Sequence, residues 1–181
     1  MSEQIYRLKI TLRDSKPPIW RRVLVPGSTT LSDLHWIIQA VMGWYNAHLH
    51  QFIIGPAYYS DPQFELDALD ESQVRLEEIA EEGTKFTYEY DFGDDWEHII
   101  LVEKVQPPEP GVEYPVCIKG RRACPPEDVG GMWGYYEFLE AIGDPNHPEH
   151  EEYLEWIGED FDPAAFSLEE TNARLREWLE E

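Results

Sequence analysis

The chain has 181 residues, 42% of them hydrophobic and 13% aromatic, enough to build a real core within one domain. Its 37 acidic residues face only 14 basic ones, for a formal charge of −23; that excludes a broad electrostatic grip on DNA or RNA and leaves solubility, cation binding or a basic protein partner. Two cysteines, Cys117 and Cys124, exclude a disulfide framework and a zinc ribbon.

Residues 6–13, YRLKITLR, alternate strictly, so Tyr6, Leu8, Ile10 and Leu12 face a core and Arg7, Lys9, Thr11 and Arg13 face outward. A turn over Asp14–Pro18 returns the chain along Ile19–Val25 to Pro26-Gly27. This first hairpin holds Arg7, Arg13, Arg21 and Arg22, either as a solvated face or as a contact for an anion or partner. Arg21 and Arg22 point to opposite faces, so one of them is expected to meet the core and pair with a carboxylate there. Thr30 caps a helix with Asp33 in its first turn; Leu31, Leu34, Ile38, Val41 and Met42 form its buried stripe, and Gly43 ends it.

HLHQFIIG follows, and in a strand His48 and His50 share one face, a spacing that lets two imidazoles bind one metal. Residues 55–73 have little periodicity and read as a long loop. Residues 86–92 alternate again, with Phe86, Tyr88, Tyr90 and Phe92 on one face. Gly93-Asp94-Asp95 is expected to be a three-residue turn with Gly93 at positive φ, setting Phe92 opposite Trp96 and Tyr90 opposite His98. Asp91, Asp94 and Asp95 then crowd one hairpin tip beside His98.

Tyr114–Ile118 predicts one more strand. In KGRRACPPEDVGGMWG, Glu127 and Asp128 suit a helix start and Gly130-Gly131 allow close backbone approach. Cys124 reads as a nucleophile if a histidine lowers its pKa, and otherwise as a buried structural thiol. A helix over Trp133–Ile142 should turn Trp133, Tyr136, Leu139 and Ala141 inward. Another follows DPNHP, and a last one starts at the Ser167 cap and buries Leu168, Leu175, Trp178 and Leu179.

Five motifs, PPIWRRV (17–23), HLHQF (48–52), YDFGDDWEH (90–98), CPPEDVGG (124–131) and DPNHPEH (144–150), occur in order across most of the chain. In these it resembles the plasmid pRiA4b ORF-3-like family. The resemblance implies an α+β domain and a link to plasmids and mobile elements; it implies no established biochemical activity.

The expected architecture is therefore a single α+β domain over 1–181, with a sheet core over about 5–120 and a helical part over about 125–181. Its mixed, largely antiparallel sheet of about five strands packs on the long helix, in a roll or ubiquitin-like opening, with helices gathered near the C-terminus. Two function classes follow. One is a binding or accessory domain, with Arg21, Arg22, Cys124, Glu127 and Asp128 as contact residues and a protein as partner. The other is a metal-dependent hydrolase or related enzyme, in which His48, His50, Asp91, Asp94 and His98 surround a divalent ion, with Glu127 or Asp128 as a further acid. Zinc suits that donor set, or iron or manganese if oxygen dominates. MSEQIYRLKI carries no basic-then-apolar leader, and no apolar run approaches the ~20 residues of a membrane span, so a cytoplasmic protein without membrane contact is expected.

Overall fold

The structure, a computed structural model, describes residues 3–158 and 160–179. The opening hairpin pairs β1 (Ile5–Leu12) with β2 (Trp20–Pro26) in the register Leu8↔Val23 and Ile10↔Arg21. The alternation read from the sequence places Leu8, Ile10 and Leu12 at or below 1% exposure and leaves Arg7, Lys9 and Arg13 in contact with solvent. Helix α1 (Leu31–Met42) starts where the Thr30 hydroxyl accepts from the Asp33 N–H at 3.1 Å and stops at Gly43, φ +108°. Its Leu31, Leu34, Ile37, Ile38 and Val41 share one apolar cluster with Leu8 and Ile10 of β1 and Val23 of β2.

The next strands are β3 (His50–Ile54), β4 (Ala57–Ser60) and β5 (Leu69–Asp70). The stretch expected to be a long loop thus holds two strands. β4 folds back on β3 as a hairpin through Gly55-Pro56, and β5 runs parallel to β4. β4 has four residues and β5 two, too few to display a period, and they leave Tyr58 and Leu69 exposed. After the one-turn α2 (Leu76–Ile79), β6 (Lys85–Tyr90) and β7 (Trp96–Gln106) form the central hairpin. β8 (Val116–Arg121) closes the far edge. Among the described residues the sheet has eight strands rather than five, in the order β5-β4-β3-β6-β7-β1-β2-β8, antiparallel except at β4–β5.

The β6–β7 connection differs from the expected three-residue turn. The pairs are Tyr90↔Trp96 and Tyr88↔His98, so the loop runs over Asp91–Asp95. Asp91 leaves the strand at φ +62°, and its Oδ1 accepts from the N–H groups of Gly93 and Asp94. The left-handed positions are Asp91 and Asp95, not Gly93, and Phe92 is exposed. The displacement is two residues, so each side chain keeps its face and Phe86, Tyr88 and Tyr90 remain core.

Helices α3 (Gly131–Gly143), α4 (His150–Ile157) and α5 (Leu168–Leu179) complete the chain. α3 is rotated from the expected phase: Trp133 is 82% exposed and Tyr135 and Phe138 are buried, while Ala141 is buried as expected. Gly134 sets that rotation, because its Cα face lies against the Val129 carbonyl with no room for a Cβ. In α5, Leu175 is buried and Trp178 half-buried, whereas Leu168 and Leu179 stay exposed, against expectation. No helix among the described residues is long and apolar enough to cross a membrane.

Candidate functional site

Three loops meet beside the N-terminal end of β3. His48 lies in the segment joining α1 to β3, Asp91 in the β6–β7 loop, and Glu127 and Asp128 in the β8–α3 loop. Local chemistry holds each loop. The Asp91 N–H donates to the Leu49 carbonyl at 2.8 Å, tying the hairpin loop to the segment that carries His48. The Gly130 N–H donates to Asp94 Oδ2 at 3.1 Å, and Gly131, φ +70°, lets the Asp94 carbonyl sit where a side chain would otherwise be. The glycine pair therefore docks one acidic loop on another. Asp128 itself takes φ +62°.

His48 Nε2 is the centre of the arrangement. It lies 2.8 Å from Asp128 Oδ1, 3.5 Å from Asp91 Oδ2 and 3.7 Å from Glu127 Oε1. It is shielded from solvent, yet among the described residues no hydrogen bond of acceptable direction reaches it, the Asp128 oxygen being close but out of line. One ligand atom each from His48, Asp91 and Asp128 lie within 4.8 Å of one another. Ligands at about 2.0–2.2 Å from one ion stand roughly 3–4 Å apart, so these three side chains need only small shifts to share a cation.

The surroundings fix the donors. The His48 ring packs edge-on against Tyr90. The Tyr90 hydroxyl donates to Glu127 Oε1 at 2.7 Å and accepts from the Ala47 N–H at 2.8 Å. Burial, reinforced by the Glu127 carboxylate, raises the Tyr90 pKa, so this hydroxyl keeps its proton. Glu127 Oε2 accepts from the Tyr45 N–H. Glu127 is thus committed on both oxygens, whereas Asp91 spends Oδ1 on its own loop and presents Oδ2 to the site. Asp128 is two-thirds exposed and opens the site to water.

The other expected ligands lie elsewhere. His50 does not join His48: it is buried, with Nε2 2.7 Å from Glu71 Oε1, because β3 begins at His50 and His48 precedes the strand alternation. His98 is buried too. Its Nε2 accepts from the Trp44 indole N–H at 3.0 Å and its Nδ1–H donates to the Tyr88 carbonyl, which leaves no lone pair for a metal. Asp94 faces Gly130 and braces the loops. His147 and His150 lie apart from the cluster: His147 Nδ1 accepts from the Glu149 N–H, and His150 Nδ1 bonds the Ala141 carbonyl.

Arg21 is 2% exposed, as a core-facing arginine should be, but carbonyls rather than a carboxylate receive it. Nε donates to Val41 O at 2.7 Å and Nη1 to Trp20 O and Arg121 O, with the guanidinium over Phe166. Arg22, on the opposite face, forks onto Glu103 at 2.7 and 3.0 Å. Burial pushes the Cys124 thiol up, and the nearby Arg21 charge does not reverse this, so the thiol stays protonated. Sequence reasoning missed Glu71, which sat in a stretch without periodicity, and the Tyr90–Glu127 bond, which joins residues 37 apart. A second carboxylate group, Glu89, Asp95 and Glu97, lacks a histidine, and Arg13 takes Glu97 at 2.6 Å.

Residues 4–170 match the family model described as plasmid pRiA4b ORF-3-like protein. The uncharacterized protein y4hQ of Sinorhizobium fredii is 44% identical over 177 residues, covering 95% of this chain and 91% of its own. The crystal structure of MM3350 from Methanosarcina mazei Go1, a protein of unknown function, superposes with a TM-score of 0.86 at 40% identity, over 93% of this chain and 98% of the other.

Proposed function

The chain belongs to the plasmid pRiA4b ORF-3-like family, and from that premise we propose that it is a cytoplasmic, divalent-cation-binding accessory domain. The cation site is His48, Asp91 and Asp128, with Glu127 as the outer carboxylate. One observation carries this reading: a shielded imidazole nitrogen without a hydrogen bond faces three carboxylate oxygens at 2.8–3.7 Å. In a chain of net charge −23, gathering three carboxylates without an arginine or lysine among them is costly unless a cation offsets them. One nitrogen and two or three oxygens suit zinc, manganese or iron(II). The bound ion would fasten the β3 lead-in, the β6–β7 loop and the β8–α3 loop together. The link to plasmids and mobile elements comes to this chain through its family.

The test is metal analysis of protein purified without a histidine tag, then titration of the stripped protein. One equivalent of zinc, manganese or iron(II) is expected to bind and raise the thermal midpoint, and His48→Ala is expected to abolish both effects. Absence of saturable binding by all three overturns the reading.

The exposure of Asp128 favours a second reading, metal-assisted hydrolysis, because a cation there would keep water ligands whose pKa it lowers. Turnover of a phosphoester or ester probe by metal-loaded protein, lost in His48→Ala, would support it.

A further inference from the structure

On the side of the molecule where α1 meets the end of α5, a cavity of about 440 Å3 is walled by Trp36, Tyr45 and Trp178. Trp36 projects from α1, Tyr45 follows the Gly43 cap, and Trp178 lies in the last turn of α5. Trp36 and Trp178 meet edge to face, centroids 5.6 Å apart and planes at 67°, so they form two walls of a corner rather than a closed stack. The Tyr45 ring is 76% exposed and packs on no other aromatic ring among the described residues. Asp33 and Glu177 stand at the same cavity, and no lysine or arginine among the described residues lines it.

Two indoles meeting edge to face and an exposed phenol ring, with two carboxylates and no cation among the described residues, are the complement of an organic cation. The ring quadrupoles present negative faces, the carboxylates add charge, and an alkylated ammonium loses little hydration on entry. Elsewhere the protein covers aromatic faces with its own cations: Lys9 and Arg22 lie over Trp20, and Arg21 lies over Phe166. No such cation lies over Trp36, Tyr45 or Trp178 among the described residues. The volume is in the range of small-molecule sites and exceeds what an ammonium head requires, leaving room for its substituent.

The geometry points to this cavity as a binding site for a quaternary or multiply alkylated ammonium group. The site is separate from the His48 centre, although the Tyr45 N–H bonds Glu127 there; binding is therefore measured in the presence of a chelator, so that the two readings fail independently. Choline and a peptide bearing trimethyl-lysine are titrated by calorimetry, with 3,3-dimethylbutanol, the uncharged isostere of choline, as the control. Saturable binding of either cation is expected, with the isostere weaker by about tenfold or more. The tighter of the two cations identifies whether the group is carried by a free small molecule or a modified side chain. Tyr45→Ala and Glu177→Gln, both at exposed positions, are expected to weaken binding about fivefold each while leaving the thermal midpoint unchanged. Equal affinity for choline and its isostere overturns the proposal, as does the absence of saturation by both cations through the millimolar range. Binding unaffected by both substitutions overturns it as well.

Discussion

The imidazole of His50 lies flat on that of His35, ring centroids 3.6 Å apart and planes within 10°. The stack is part of a closed polar circuit that runs from the core out to the exposed Asn46. The Gln39 amide donates to the Tyr88 hydroxyl oxygen at 2.9 Å, which turns the Tyr88 hydrogen toward His35 Nδ1 at 2.6 Å. His35 Nε2–H then donates to Asn46 Oδ1, and the Asn46 N–H donates to Gln39 Oε1. Each position has one role, and that assignment requires a neutral His35. His98 is held neutral in the same way by the Trp44 indole, which occupies its Nε2.

These two histidines make stability fall in acid. Burial, with the neighbouring His50 adding to it, lowers the His35 pKa to about 3, and burial lowers that of His98 to about 4, from an ordinary 6.5. Above 6.5 both are neutral in the folded and the unfolded chain, so the circuit's full contribution is present. Below 6.5 the unfolded chain takes up protons that the folded chain refuses, and stability drops until pH reaches the folded values. The slope is up to about 1.4 kcal/mol per pH unit for each histidine. A urea midpoint clearly lower near about pH 5 than near about pH 7 is expected, and a flat profile counts against the circuit.

Glu71 is 3% exposed, and His50 is its side-chain partner. Glu71→Ala should cost about 3 kcal/mol or more, because it leaves His50 buried beside an empty space; Nδ1 of that ring already lacks a hydrogen bond. Glu71→Gln keeps an acceptor for Nε2–H and should cost markedly less. The same pair, with the Ser60 hydroxyl on the His50 carbonyl at 2.6 Å, anchors the 57–73 edge. Faster protease cleavage within that edge in Glu71→Ala than in Glu71→Gln is the accompanying readout.

Two glycines separate by consequence. Gly93 has no positive φ, and a Cβ there would meet Asp91 Oδ1 at 3.3 Å, so Gly93→Ala should cost under about 1 kcal/mol. Gly131 has φ +70° and backs directly onto the Asp94 carbonyl, so Gly131→Ala should cost about 2 kcal/mol or more. Comparable thermal midpoints for the two variants would contradict the docking of the β6–β7 loop on Gly130-Gly131.

Elements with an apolar period were legible before the structure. The β1 alternation, the α1 stripe and the Thr30 and Gly43 caps follow from nearest-neighbour chemistry, which a sequence displays directly. The β6–β7 loop was misplaced by two residues because Asp91, not the glycine, leaves the strand, a choice made by Asp91's own carboxylate. The cluster at His48 was half legible. Asp91 and Asp128 reach it through the fit of Asp94 over Gly131, a long-range contact no local pattern encodes, while His50 and His98 were drawn into the core by partners 21 and 54 residues away.

The arginines of the first hairpin all have partners within the protein. Glu103 receives Arg7 at 3.2 Å and Arg22 at 2.7 Å, Glu97 receives Arg13 at 2.6 Å, and Arg21 is interior. With these charges met internally and −23 overall, duplex DNA should bind more weakly than about 1 µM at physiological salt. Fluorescence anisotropy with a random duplex measures this, and submicromolar binding would mean that Glu97 and Glu103 release their partners.

Asp91 separates the structural and cation-binding roles of one carboxylate. Its Oδ1 accepts from the Gly93 and Asp94 N–H groups, while its Oδ2 faces His48 at 3.5 Å. Asp91→Asn retains a carbonyl oxygen for the loop but replaces the outward oxygen with an amide nitrogen or removes its charge, so the loop stands and the cation loses a ligand. Asp91→Ala removes both. Asn should therefore leave the metal-free thermal midpoint near that of the parent and weaken metal binding by about tenfold or more, whereas Ala should also destabilise the metal-free protein by about 1–2 kcal/mol through the lost loop bonds. If Asn and Ala lower the metal-free midpoint equally, the outward oxygen is structural, and the cluster is held by charge and hydrogen bonding among its own side chains. If Asn alone raises that midpoint while abolishing metal binding, the carboxylate is kept at a cost to stability, as a ligand would be.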